Sequence, residues 1–265
     1  MPGFFIYLLP SLLYALIAVL QFCVRESEKN WTRAAIAAPF LLHGYALYSN
    51  LFIESGEGLN FGIANSISTI VWLIVGLHWA GSFFHNLKAL QTPIAAIAAI
   101  TVPLPALFPA EHFLHNANLL AFKVHLTIGL LAYSLFSIAA LQALLMDFIE
   151  KRLHTAMPPI LRNLPPLLTM EKLLFRIIGA GFLLLTMTLL SGALYSEEIF
   201  GKPLELNHKT VFAFISWAIF AVLLAGRHFY GWRGRIAVRS TMTGFIMLLL
   251  AYVGSKFVLE VILKR

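Results

Sequence analysis

The chain has 265 residues, of which 60% are hydrophobic and 12% are charged, with a formal net charge of +7. Soluble domains carry roughly 25% charged residues, so this composition excludes an ordinary soluble domain. The apolar residues come in blocks of about 20, the length that a helix needs to cross roughly 30 Å of hydrocarbon. The sequence therefore predicts an all-α, polytopic integral membrane protein. We expect the positive charge to reflect basic loops on one membrane face and not nucleic acid binding.

Eight membrane-spanning segments are predicted, forming one transmembrane domain over residues 1–265. The first is not expected to be a cleaved signal peptide, because it lacks a positively charged start and its apolar run is too long. The fourth is expected to be a kinked span, since prolines between positions 93 and 109 interrupt it. The eight segments cover residues 3–24, 34–53, 61–84, 91–109, 124–147, 173–195, 210–226 and 240–262.

The loops between the segments alternate in charge. About 13 of the 19 Lys and Arg residues fall in or beside one set of loops, whereas the other set is richer in Glu. The positive-inside rule makes the first set cytoplasmic. We expect the protein to reside in the inner membrane of a bacterium. Both termini are then expected outside, in the periplasm.

Two histidines begin two of the predicted helices. His125 opens the segment from Val124 to Asp147, and His208 precedes the segment from Thr210 to Gly226. Both segments run in the same direction, so the two imidazoles are expected at the same membrane face and depth. Facing imidazoles in an apolar setting bind a metal, most simply the iron of a haem.

The neighbours of these histidines are compatible with such a site. Small residues, Gly129 and Ala132, follow His125 on its helical face, and a flat macrocycle could approach the backbone there. Phe212 and Ile215 follow His208, and lysines at 123 and 209 lie where haem propionates would meet water. The same residues also suit a simpler interpretation, because small residues are common in membrane helix contacts and lysines extend to the interface at helix ends.

His43 lies deeper, in the middle of the second segment. A polar ring in the bilayer is costly, so it indicates either a further haem ligand or an interhelical hydrogen bond. His78 and His228 could form a site at the opposite face, and His85, His112, His115 and His154 are expected in loops.

Other chemistry finds little support in the sequence. Cys23 is the only cysteine, so the chain has no Cys-x-x-Cys-His motif and any haem is expected to be non-covalent haem b. The carboxylates lie at segment ends or in loops and make no catalytic pair, so no enzymatic activity is predicted. The basic and aromatic run from Gly226 to Arg235 is expected to contact anionic lipid.

Several motifs together resemble the CcsA-type cytochrome c assembly family, and in particular its HemX/YpjD-like branch. The resemblance covers most of the chain. It is carried by the stretches Leu59–Ser66 with Trp72, Val124–Leu126 with Tyr133, Leu189–Ala193, Asn207–Phe212 with Trp217, Gly226–Gly234 and Tyr252–Phe257.

The resemblance implies an inner membrane protein that holds haem on the outer face, with His125 as a haem ligand. Two features depart from the family pattern. The family's tryptophan-rich W-x-W-D-P-K-E stretch is replaced here by residues 204–210, and no histidine follows His228. We expect His208 to take the place of the family's second external histidine.

The leading prediction is therefore a haem-binding protein with an accessory role in cytochrome c biogenesis or haem homeostasis. His125 and His208 would bind the iron, with His43 as a deeper ligand, and the partners would be the lipid bilayer, haem and other membrane assembly proteins. Two alternatives stay open from the residues alone. One is a membrane component linked to divalent-cation transport or homeostasis, and the other is a regulatory membrane subunit without a ligand.

Overall fold

A computed structural model describes residues 2–23, 34–53, 59–109, 113–114, 119–152, 165–196 and 207–257. The histidines at 112, 115 and 154 lie outside the described residues. The chain divides into two compact units, Met1–Ala117 and Asn118–Arg265. Each unit is described by itself.

Unit 1 consists of the first four predicted segments. Its elements are α1 (Pro2–Cys23), α2 (Ala37–Tyr48), which continues as a π-helical turn (Ser49–Ile53), β1 (Leu59–Asn60), α3 (Ile63–Gly81), α4 (Lys88–Thr101), α5 (Leu104–Leu107) and β2 (Phe113–Leu114). The two short strands pair antiparallel, with Leu59 opposite Leu114.

The fourth segment contains a break at one of its prolines. Pro93 lies inside α4, but α4 ends at Thr101, and Pro103 precedes the short helix α5. Proline lacks the N–H that would continue the hydrogen-bond ladder, and its ring crowds the preceding turn. The interruption expected from the sequence is therefore observed at Pro103 and not at Pro93.

Aromatic and small residues bring α2 and α3 of unit 1 together. The Trp72 indole nitrogen donates to the Phe40 carbonyl at 3.0 Å, and the two rings stack with centroids 4.9 Å apart. Gly44 faces the same indole, and a β-carbon there would lie 3.0 Å from its nitrogen. Small residues of this kind let membrane helices approach closely.

Unit 2 consists of the last four predicted segments. Its elements are α6 (Leu120–Arg152), α7 (Leu167–Leu194), α8 (His208–Tyr230) and α9 (Arg235–Leu249), which continues as a π-helical turn (Leu250–Gly254). The first three helices extend beyond the predicted spans. At 1.5 Å per residue, the 33 residues of α6 reach about 50 Å, longer than the roughly 30 Å of hydrocarbon.

The core of unit 2 is an aromatic stack between α6 and α8. The rings of Phe136 and Phe220 are 4.0 Å apart. Glycines of the neighbouring helices make room for them, since a β-carbon would lie 3.2 Å from Phe136 at Gly181 and 2.8 Å from Phe220 at Gly244. The Ser216 hydroxyl donates to the Gly244 carbonyl at 2.9 Å and ties α8 to α9.

The turn between α8 and α9 depends on its glycines. Gly231 has a φ of 66°, a left-handed conformation that only glycine adopts without strain. The Trp232 N–H donates to the Gly226 carbonyl at 3.1 Å, so the chain folds back onto the last turns of α8. The Trp232 ring covers Gly226, where a β-carbon would lie 2.2 Å from it.

The prediction of an all-α polytopic membrane protein is confirmed. Seven helices among the described residues are long and apolar enough to cross a membrane. The remaining predicted span, residues 34–53, contains the shorter helix α2 and its π-helical turn. The location of the termini outside stays a prediction.

Candidate functional site

His125 lies on α6, one turn after the helix begins, and packs against the end of α7. Its Nδ1 atom lies 2.8 Å from the Ser191 hydroxyl. The ring is half-buried and also contacts Gly192, where a β-carbon would lie 3.3 Å from His125 Cε1. We call this end of unit 2, where α6 and α8 begin and α7 ends, the His125 end.

The hydrogen bonds around Ser191 favour one tautomer of His125. The Ser191 hydroxyl donates to the Thr188 carbonyl at 3.1 Å. Since a hydroxyl has one proton, a Ser191 hydroxyl that donates to Thr188 accepts from His125, and this arrangement favours the imidazole N–H on Nδ1. Nε2 consequently carries the lone pair, and this is the form in which a neutral imidazole ligates a metal.

The small residues after His125 form a helix contact. Gly129 faces Thr188 of α7, with 3.5 Å between the position of a β-carbon and the threonine methyl. Ala132 has no exposed surface. Helix α7 therefore packs against Gly129, which agrees with the simpler interpretation of these small residues as a helix contact.

His208 is the first residue of α8 and is exposed. The preceding residue, Asn207, caps the helix, because its side-chain oxygen accepts from the Thr210 N–H at 3.1 Å. Of the two residues expected to support His208, Ile215 lines a groove towards α9. The charged side chains nearby in sequence are Lys123, which is exposed, and Lys209, which is half-buried.

His125 and His208 lie at the same end of unit 2. Helices α7 and α8 run antiparallel, since Glu171 near the start of α7 pairs with Arg227 near the end of α8. The Trp217 indole donates to Thr186 at 2.9 Å and sets a common level on the two helices. Measured along the helix axes from that level, Ser191 is about 8 Å away and His208 about 14 Å away. Because Ser191 contacts His125, the positions of His125 and His208 along the axes differ by about 6 Å.

His43 is fully buried in unit 1. Its Nε2 atom lies 2.9 Å from the Ser68 hydroxyl of α3, and its ring makes an edge contact with Tyr14 of α1 at 6.0 Å. Its Nδ1 atom has no hydrogen-bond partner among the described residues, and neither does the Tyr14 hydroxyl. The interhelical hydrogen bond considered for this residue is thus observed, and one ring nitrogen is left over.

The remaining described histidines are placed differently. His78 is buried in unit 1, with Nε2 at 3.1 Å from the Leu87 carbonyl. His228 lies near the end of α8 in unit 2, and it and His85 are exposed. Within the ranges that the structure describes, no group of three or more His, Cys, Asp or Glu side chains is placed to hold a metal ion.

Two polar residues in unit 2 were missed by sequence reasoning. Ser191, which orients His125, is separated from it by 66 positions and stands in an apolar stretch. Glu171 is buried, and its carboxylate accepts from Arg227 at 2.7 Å and from the Gly234 N–H at 3.0 Å. A carboxylate near the start of an apolar helix, in a chain with several arginines at and after the end of α8, was the available signal for Glu171.

Comparisons with known proteins agree on one family. The family model described as "Cytochrome C assembly protein" matches residues 31–263. The chain is 30% identical to the inner membrane protein YpjD of Escherichia coli K12, over 94% of this chain and 98% of that protein. It is 26% identical to the cytochrome c biogenesis protein CcsA of Guillardia theta, over 78% of this chain and 76% of that one.

A match over a shorter segment has a higher sequence identity. Over 33% of this chain and 28% of its own length, the cytochrome c biogenesis protein CcsA of Prochlorococcus marinus AS9601 is 39% identical. The full-length matches and the apolar helices make the chain a multi-pass protein of the bacterial inner membrane. The chain belongs to the cytochrome c assembly protein family.

Proposed function

We propose that this protein holds haem b non-covalently at the His125 end and has an accessory role in cytochrome c biogenesis or haem homeostasis. The observation that carries the proposal is the hydrogen-bond chain from His125 Nδ1 through the Ser191 hydroxyl to the Thr188 carbonyl. It orients the ring and leaves the lone pair on Nε2. Metal-binding histidines are held in this way, by an acceptor on the other ring nitrogen.

The surroundings of His125 suit an amphipathic macrocycle. Apolar side chains with large exposed fractions lie at this end, including Leu120 (76% exposed) and Leu194 (75% exposed). Lys123 adds an exposed positive charge one turn from the helix start. An apolar surface with a cation at its rim matches a porphyrin whose propionates reach water.

His208 is proposed as the second axial ligand, from the first turn of α8. Its exposed ring can reorient without disturbing packing in unit 2. Bound haem would supply an iron centre that these two imidazoles hold and protect. His43, the third predicted ligand, has only its Nδ1 atom left for that role because Nε2 bonds to Ser68, and we therefore propose that it serves as an interhelical hydrogen-bonding residue.

An absorption spectrum of the purified protein tests the proposal. We expect a Soret band, and we expect His125→Ala to remove most of it at unchanged protein yield. His228→Ala is the matched control, since His228 is an exposed histidine in the same unit, near the end of α8. A haem-free preparation that also fails to take up added haem, or equal loss in both variants, would contradict the proposal.

A further inference from the structure

A groove runs between α8 and α9 on the surface of unit 2. Its walls are Ala218, Ile219 and Val222 on α8 and Ile236, Ser240 and Thr243 on α9. Its volume is about 610 Å³, within the roughly 300–1,000 Å³ of small-molecule sites. None of the residues proposed above as haem ligands lines it.

The walls of the groove suit a hydrocarbon chain. Val222 is 57% exposed and Ile236 is 47% exposed, although both are large and apolar. They lie on helices that are long and apolar enough to cross a membrane, so these apolar walls are expected at the depth of the hydrocarbon. It extends along α8 from Val222 to Ile215, about 10 Å of helix, the length of several methylene groups.

One end of the groove is cationic. Arg239 is one of the lining residues, and Arg235, the first residue of α9, lies just beyond the lining, one helical turn before Arg239 on the same face. Both are exposed, and among the described residues neither has a carboxylate partner, whereas Arg227 is paired with Glu171. Guanidinium groups bind phosphate through paired hydrogen bonds.

The cationic end is held in place by the turn before α9. Glu171 ties Arg227 and the Gly234 N–H together, and Arg227 also donates to the Trp232 carbonyl at 3.1 Å. Trp232, which lines the groove, is fixed over Gly226. Tryptophan is favoured at the level of lipid headgroups. The position of the two arginines therefore follows from a fixed turn.

We propose that this groove binds one anionic phospholipid, with an acyl chain between α8 and α9 and its phosphate on Arg235 and Arg239. The apolar wall and the two guanidinium groups match the two chemically different parts of such a lipid. The site is separate from the proposed haem ligands, because the α8 wall of the groove, from Ile215 to Val222, begins about two helical turns after His208.

Lipid binding to the full-length protein tests this proposal. We expect phosphatidylglycerol to stay bound in native mass spectrometry and to raise the unfolding midpoint more than phosphatidylcholine with the same acyl chains. The double substitution Arg235→Gln and Arg239→Gln should weaken phosphatidylglycerol binding about tenfold, because two charge-assisted contacts are lost. Arg176→Gln, at an exposed arginine of α7, is the control and should bind like the wild type.

Two further measurements separate the parts of the site. Ala218→Phe should fill the groove and abolish selective binding while both arginines remain, and the exposed position of Ala218 makes this change compatible with folding. Arg239→Lys should keep part of the binding, since lysine retains the charge without the paired geometry. An unchanged aromatic circular dichroism spectrum checks the fold of each variant.

Three results would overturn the proposal. Equal binding of phosphatidylcholine would leave an unselective acyl groove. An equal midpoint shift with inorganic phosphate would show an anion site without a lipid. Wild-type affinity of the double arginine variant would remove the headgroup contact.

Discussion

Glu171 binds Arg227 at 2.7 Å with one carboxylate oxygen and the Gly234 N–H at 3.0 Å with the other. The carboxylate thus joins the start of α7, the end of α8 and the residue before α9. The Arg227 guanidinium also lies over the Phe175 ring, 4.7 Å from its centre. The buried Glu171 side chain therefore holds three of the four helices of unit 2 together at the end opposite to His125.

Replacing Glu171 by Gln should destabilise the protein by roughly 1–3 kcal/mol, because a charge-assisted pair and a backbone contact are both weakened in a buried place. Thermal unfolding in detergent measures the change. Asp147→Asn is the matched control: the Asp147–Lys151 pair is exposed at the end of α6, and its loss should cost less than about 0.5 kcal/mol. Equal effects of the two substitutions would show that Glu171 does not order the turn.

Removing the hydroxyl of Ser191 should weaken haem binding without removing the proposed ligand. In Ser191→Ala, His125 loses the acceptor that keeps its proton on Nδ1, and such partners typically change metal affinity by roughly 10- to 100-fold. Haem titration of the apoprotein measures the effect. Ser191→Thr retains a hydroxyl and should bind more tightly than Ser191→Ala.

The control for that experiment is Thr188→Val. It removes a hydroxyl that donates to the Leu184 carbonyl, and it keeps the methyl group that packs on Gly129. Its haem affinity should match that of the wild type. If Ser191→Ala also binds haem like the wild type, the tautomer of His125 is set by another contact or His125 is not the ligand.

Replacing His43 by Ala should lower stability and leave the haem content per protein unchanged. The observed hydrogen bond to Ser68 is lost and a cavity opens beside Tyr14, at a cost of about 1–3 kcal/mol. Unfolding temperature and the ratio of Soret to protein absorbance give the two quantities. A fall in haem content at wild-type stability would instead assign Nδ1 of His43 as a ligand.

The transmembrane topology gives a further prediction. The distribution of Lys and Arg predicts eight spans with both termini in the periplasm. Green fluorescent protein fused to the C-terminus should stay dark, and alkaline phosphatase at the same position should be active. The reverse result would indicate an odd number of spans, and the broken segment with α4 and α5 is the first place to look.

Hydropathy alone located the helices, because the bilayer demands long apolar segments whatever their tertiary contacts are. It could not show that α6 continues to Arg152, since the end of that helix lies beyond the apolar run. The order and direction of the predicted spans placed His125 and His208 at the same end of the last four helices. The partner of His125 could not be predicted, because Ser191 is 66 positions away and its role depends on how α6 and α7 pack.

The sequence also could not predict which helix packs against a given helix face. Gly129 and Ala132 suited both a macrocycle and a neighbouring helix, and the periodicity of α6 is the same in either case. Helix α7 occupies that face in the structure. His43 likewise suited a ligand and a hydrogen-bond donor or acceptor, and Ser68 is its observed partner. Sequence spacing identifies which residues share a face, but not which helix packs against it.

His208 provides the last prediction. Bis-imidazole ligation needs ring nitrogens about 4 Å apart, with iron roughly 2 Å from each. The levels of His125 and His208 along unit 2 differ by about 6 Å, so the exposed His208 side chain has to close that difference by reorienting. The first turn of α8 permits this, because the ring is exposed and the cap at Asn207 bonds to Thr210 and not to the imidazole.

His208→Ala should therefore keep haem, held by His125, and should shift the spectrum from a six-coordinate to a five-coordinate form. Added imidazole should restore the six-coordinate spectrum in part, because it replaces the missing ring. His125→Ala should lose more haem than His208→Ala, since His125 is oriented by Ser191 in advance. A spectrum unchanged by His208→Ala would mean that another group completes the iron coordination, and His125 would then be the only member of the predicted pair that binds.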